Sequence, residues 1–208
     1  IALAAGAHRV YVRDDQLTDS TLSNWPDKVI PWLDEVCRQA DHRRIDSYIV
    51  PGGELAVGNV SELAAAVDRG AQPEIRACIP VHNASCLSWL EAQGAQGFWL
   101  SSELSLEEIR QIASQAKTPV GVTVSGRIRA MTSEHCILQA AGHCIEDCAR
   151  CELRKQRLSL RSLDGSLLPV RTDLQGRSRL YAARPLDLTP EIGELLSAGV
   201  RRLMVDCT

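Results

Sequence analysis

The stretch Asp68-Arg69-Gly70-Ala71-Gln72-Pro73-Glu74-Ile75-Arg76-Ala77-Cys78-Ile79 decides the fold. A helical run ends at Gly70, polar residues follow, and an apolar run begins at Ile75. Glycine at such a place takes the left-handed backbone that stops a helix. A buried parallel strand is written as a short, nearly continuous apolar run. The pattern recurs as Ala4-Ala5-Gly6-Ala7 before Val10-Tyr11-Val12 and as Ala92-Gln93-Gly94-Ala95 before Phe98-Trp99-Leu100. It returns as Ser197-Ala198-Gly199 before Leu203-Met204-Val205.

Helix starts fall between these strands: Ser61 before Glu62-Leu63, Asn83, Ser105 before Leu106-Glu107-Glu108-Ile109, and Thr189-Pro190-Glu191. Further strands are expected at 47–50 and 119–124. Alternating strands and helices imply a parallel sheet with right-handed crossovers. The expected class is α/β, an incomplete (β/α) TIM-like barrel, with an open doubly wound sheet as the second choice. The opening residues, Ile1 to Ala7, read as the last turns of a helix, which suggests a piece of a longer chain lacking a first strand.

The rhythm breaks at Arg127. Three regions are expected: 1–126 as the βα-repeat barrel portion, 127–184 as an inserted cysteine-rich segment plus hairpin, and 185–208 as a final αβ unit. Asp164-Gly165, between 157–163 and 167–172, is a strong hairpin signal.

Hydrophobic residues make up 45% and charged residues 24% of the 208, enough for a sizeable core, but aromatics are only 4%. No apolar run approaches the roughly 18 residues of a membrane span, and no secretory signal is legible, so a cytoplasmic location is expected. The net charge of −3 conceals an asymmetry, −7 over 1–149 against +6 over 150–184.

Four of the eight cysteines fall in one segment, Glu134-His135-Cys136 followed by Gly142-His143-Cys144-Ile145-Glu146-Asp147-Cys148-Ala149-Arg150-Cys151. Clustered cysteines without a secretory signal point to metal or redox chemistry. Four thiolates satisfy an iron–sulfur cluster or a tetrahedral zinc. Zinc sites usually pair two short knuckles, and only Cys148–Cys151 is one. The irregular spacing therefore favours a cluster. His135 or His143 could stand in for a cysteine around zinc. The blander reading, four inert core thiols, fits poorly with the charged and glycine residues around them.

The run Ser125-Gly126-Arg127-Ile128-Arg129-Ala130-Met131-Thr132-Ser133-Glu134-His135-Cys136 resembles the signature of the collagenase-like peptidase family U32. So do Pro169-Val170-Arg171-Thr172-Asp173, Leu180-Tyr181 and Pro185-Leu186-Asp187-Leu188, with Ile79-Pro80-Val81-His82-Asn83 in the first half. The resemblance implies two things. The family is named for peptidase or collagenase activity without agreed catalytic residues, a hydrolase reading. Its better understood relatives are oxygen-independent hydroxylation proteins that bind a four-iron, four-sulfur cluster. They act on transfer RNA, ribosomal RNA or ubiquinone precursors, with prephenate implicated as an oxygen donor for some. In many relatives a cluster ligand follows the hairpin as Asp-x-x-Cys-Arg. Here the stretch is Asp173-Leu174-Gln175-Gly176-Arg177, so Gly176 stands at the cysteine position. Either the ligand set has moved to Cys136, Cys144, Cys148 and Cys151, or the domain is a non-catalytic, zinc-stabilised module.

Peptidase chemistry finds little else. His135 and Cys136 are neighbours in sequence whose side chains need not meet, and no H-E-x-x-H or G-x-S-x-G motif exists. Glu134, His135 and Arg127 flank the cysteines and are the candidates for proton or substrate handling. Each could equally be structural. His82 and Asp206 follow expected strands, where barrels collect substrate groups, although Asn83 reads as a cap and His82 equally well as a loop residue. Arg171 and Arg177, with the basic run over 150–184, could bind RNA phosphates or a small anion such as prephenate; such runs are usually solvated faces. The expected partners are thus RNA, a small anionic substrate and the rest of a longer chain.

Overall fold

The computed structural model describes residues 1–24, 27–142 and 144–207. Along the chain the elements are β1 (Val10–Arg13), α1 (Asp19–Asn24), β2 (Val29–Trp32), α2 (His42–Ile45), β3 (Glu54–Val57), α3 (Val60–Asp68), β4 (Gln72–Ile75), α4 (Ala84–Ala92), β5 (Gly97–Trp99), α5 (Leu106–Ala113) and β6 (Val120–Gly126). There follow β7 (Arg129–Ser133), α6 (Ile137–Ala140), β8 (Leu158–Arg161), β9 (Leu167–Thr172), β10 (Ser178–Tyr181), β11 (Leu186–Asp187), α7 (Ile192–Ser197) and β12 (Arg202–Val205). Two compact units divide them: Ile1–Thr123 with Glu191–Met204, and Val124–Pro190 with Val205–Thr208.

In the first unit β1 to β6 lie side by side in chain order and parallel. This is the mixed α/β architecture expected, a curled parallel sheet that fits an incomplete barrel. β12 pairs β6. The curl follows from one cluster of side chains. In a flat sheet β1 and β4 would stand about 14 Å apart, three strand spacings. Yet Tyr11 on β1 donates its hydroxyl to Glu74 on β4 at 2.7 Å, and Trp99 Nε1 on β5 donates to the same carboxylate at 3.1 Å. Arg9 and Arg202 pair with Glu74 as well. Burial and the Glu74 charge hold the Tyr11 phenol far above its ordinary pKa. Around this polar centre pack Ile30, Leu55, Val57, Ile75, Phe98 and Val120 from the strands, with Leu63, Leu87, Leu90 and Ile112 from the helices.

Caps explain where the helices begin. Asn83 and Ser105 accept from Cys86 N and Glu108 N, and Glu108 reaches back to Ser105 N to complete a capping box. The four helix-stopping glycines all have positive φ, between 72° and 102°.

Some expectations move. The segment 47–50 is not a strand: Asp46–Tyr48 forms a 3-10 turn, and buried Ile45 and Ile49 recur at helical spacing. β4 ends at Ile75 rather than starting there. Beyond it the chain turns so that Arg76 can bond the Leu33 carbonyl and pair with Glu35. The cap of α3 is Asn59, not Ser61. Thr189 does not cap α7; its hydroxyl donates to Asp187, and the helix starts at Ile192.

The second unit is built on a four-stranded antiparallel sheet, β7-β10-β9-β8. β8 and β9 form the expected hairpin, with Arg161 opposite Leu167. At its turn Gly165 has φ 86°, and Asp164 accepts from Ser166 N at 2.9 Å. β11 pairs antiparallel with the end of β6. Among the described residues no helix is long and apolar enough to cross a membrane.

Candidate metal centre

The cysteine segment lies between β7 and β8. Cys136 stands at the N-terminal end of the four-residue α6, which is tied down by Ile137 N donating to Ser178 Oγ of β10 at 3.0 Å. Beyond α6 the chain has little regular structure, only a 3-10 turn at Leu153–Lys155. Arg154 fixes the stretch by donating its Nε to the Cys148 carbonyl at 2.6 Å. Glu146 has φ 56°, the only positive φ outside glycine among the described residues. That backbone aims its N–H at Cys144 Sγ, 3.3 Å away.

Opposite this segment stands the β9–β10 turn. Asp173 organises it: Oδ1 accepts from Gln175 N at 2.9 Å and Arg177 N at 2.8 Å, while Oδ2 pairs with Arg179 at 2.6 Å. Both members of that ion pair are buried. The turn carries Gly176 at φ 78° into the wall of a cavity of about 170 Å³. Cys136, Cys144, Cys148 and Cys151 all line this one cavity, together with Glu134, Asp147, Arg154, Asp173 and Gly176. Their exposure is graded, from Cys144 exposed to Cys151 buried. Burial first, then the other three cysteines and Asp173, pushes the Cys148 thiol up from its ordinary range. The four sulfurs therefore feel one another's charge. Among the described residues, however, no three His, Cys, Asp or Glu side chains stand in the tight grouping that grips a single ion.

The remaining candidates are distributed unevenly. Glu134 lines the cavity and pairs with Arg177 at 3.6 Å. Arg177 is 2% exposed and the largest fully buried side chain, so its charge acts inside the unit and not on a solvent-facing surface. Arg127 donates to the carbonyls of Ala182 and Ala183, a clamp on the end of β10. His135 is exposed, and its N–H donates to Ser133 Oγ. His143 lies outside the described residues. Asp206 N donates to Ser125 O, and a side chain at Gly126 would collide with Asp206. His82, in the first unit, is exposed, with Nε2 4.0 Å from Glu103. Arg171 is exposed on β9 and shares a face with Arg161, because both are in step with Leu167 across the hairpin.

Several groups escaped the sequence reading. Asp173 looked like part of a motif and is the keystone of the turn. Cys37 Sγ lies 4.0 Å from His42 Nδ1, and Asp46 is 3.7 Å from that same nitrogen. A relay needs the base and its orienting acid on opposite ring nitrogens. Burial and the Glu62, Asp41 and Asp46 charges also push the Cys37 thiol up to about 11, away from an activated nucleophile.

The model of peptidase family U32 matches residues 56–207, most of both units. The chain belongs to this family. Neither a curated protein nor a solved structure matches it. The U32 match includes all four pocket cysteines and the whole hairpin with its Asp173 turn.

Proposed function

We propose that this U32 protein carries a four-iron, four-sulfur cluster on Cys136, Cys144, Cys148 and Cys151, and takes part in oxygen-independent hydroxylation, with RNA as substrate. The observation that supports the reading is the convergence of four thiols on one cavity. Their spacing also favours a cluster over zinc. A lone zinc draws four sulfurs to about 2.3 Å from one point, whereas a cubane holds its ligands further apart and takes them from several directions. Bound there, a cluster would supply one-electron transfer.

The chain's own residues have distinct tasks in this reading. Glu146 N–H donates to Cys144 Sγ and favours its thiolate form. Arg154 brings a cation to the wall of a pocket otherwise rich in carboxylates. Arg161 and Arg171, with Arg157 just before β8, present exposed guanidinium groups on one hairpin face, suited to phosphate contacts. None of the three carries a printed ion pair with any described residue. The same guanidinium groups suit a small dianion, which competition would separate from RNA.

Anaerobic preparation followed by iron, sulfide and zinc analysis tests the reading. Iron and sulfide in equal amounts, with visible absorption lost in Cys144→Ser, support it. Stoichiometric zinc without iron defeats it. Cleavage of gelatin that survives chelation and replacement of all four cysteines would return the family's peptidase name to first place.

A further inference from the structure

The β9–β10 turn contributes no sulfur, yet it reaches the thiol pocket. A Cβ built on Gly176 meets only one atom within 4 Å, Cys148 Sγ at 3.5 Å, and otherwise faces open space. Gly176 is itself buried and lines the cavity. A thiol at 176 would project one C–S bond further, into the volume beside Cys148 Sγ. The turn that carries it is anchored by three hydrogen bonds to Asp173.

We infer that position 176 and Cys148 share a single ligand place of the centre, which a thiol from either residue can fill. The inference rests on the thiolate-ligated centre proposed above. It makes the hairpin turn part of the coordination sphere's geometry, although the turn donates no ligand in this chain. Cys148 fills the place from the irregular segment, and Gly176 leaves it the room to do so.

The test is a transplanted ligand, read by cobalt(II) absorption and by iron and sulfide content after anaerobic reconstitution of the 208-residue chain. Cys148→Ser is expected to weaken metal binding about tenfold or more. Adding Gly176→Cys to it should restore binding to near the original level, with thiolate-to-cobalt charge-transfer bands. Gly176→Ala in the same background imposes the same left-handed strain without a sulfur and should restore nothing. Circular dichroism of each variant keeps misfolding apart from ligand loss. A folded Cys148→Ser/Gly176→Cys double variant as weak as Cys148→Ser overturns the shared place, as does Cys148→Ser that binds like the original chain. If the original chain binds neither metal nor cluster, the centre itself falls, and this inference with it.

Discussion

Arg202 on β12 and Glu74 on β4 form an ion pair across 128 residues of sequence. Tyr11, Trp99 and Arg9 complete the shell around the same carboxylate. Removing a partner from a buried pair leaves uncompensated charge, which typically costs about 3–5 kcal/mol. Glu74→Ala should therefore lower the denaturant midpoint steeply, and Glu74→Gln by less. A change under about 1 kcal/mol in Glu74→Ala would mean the carboxylate does not hold the curl.

Glu62 gives a pH dependence. Its Oε2 accepts from Gly58 N, while Oε1 is buried without a hydrogen-bond partner. Burial pushes this carboxyl up to about 7. Its folded pKa thus lies above the ordinary value of 4.5, so its contribution is fully present below about pH 4.5 and is lost as pH rises through 7. A shift of that size is on the order of 3 kcal/mol. Glu62→Gln should be more stable than the original chain at pH 8 and lose the advantage by pH 5. Parallel stability curves from pH 5 to 8 would refute it.

Glu146 offers a strain experiment at the pocket. A non-glycine residue in left-handed backbone costs roughly 1–2 kcal/mol. Glu146→Gly keeps the N–H to Cys144 and should leave metal content unchanged while raising the melting temperature of the apo form. Glu146→Pro loses that donor and should lower metal content. Equal metal content in both variants would show that the N–H has no part in ligation.

The basic hairpin face predicts a salt effect. If Arg157, Arg161 and Arg171 meet phosphates, RNA binding should fall with salt, and each Arg→Ala change should reduce the log–log slope by about one. Unchanged slopes in a triple variant would remove this face from the interface.

The first unit was legible where backbone chemistry is local. Gly6, Gly70, Gly94 and Gly199 announce helix ends through the φ they require, and Asn83 and Ser105 announce starts. Ile49-Val50 misled because a short apolar run is equally a strand or the buried side of a turn. Glu74 was silent, since a charged residue in a strand gives no sign of donors brought by three distant segments. In the second unit the cysteine spacing marked the pocket, but not its far wall. Asp173 and Gly176 lie more than twenty residues beyond Cys151, and only the antiparallel return of β10 against β9 and β7 sets them opposite the sulfurs.

The pocket's two walls differ in kind: one is a braced hairpin, the other a length of chain with a single four-residue helix and one 3-10 turn. A cofactor gripped by sulfurs from the second wall would act on it as a set of reversible cross-links. Filled and empty protein would then differ in how readily a protease nicks 141–157, so that the state of the cofactor is written into the lifetime of the polypeptide.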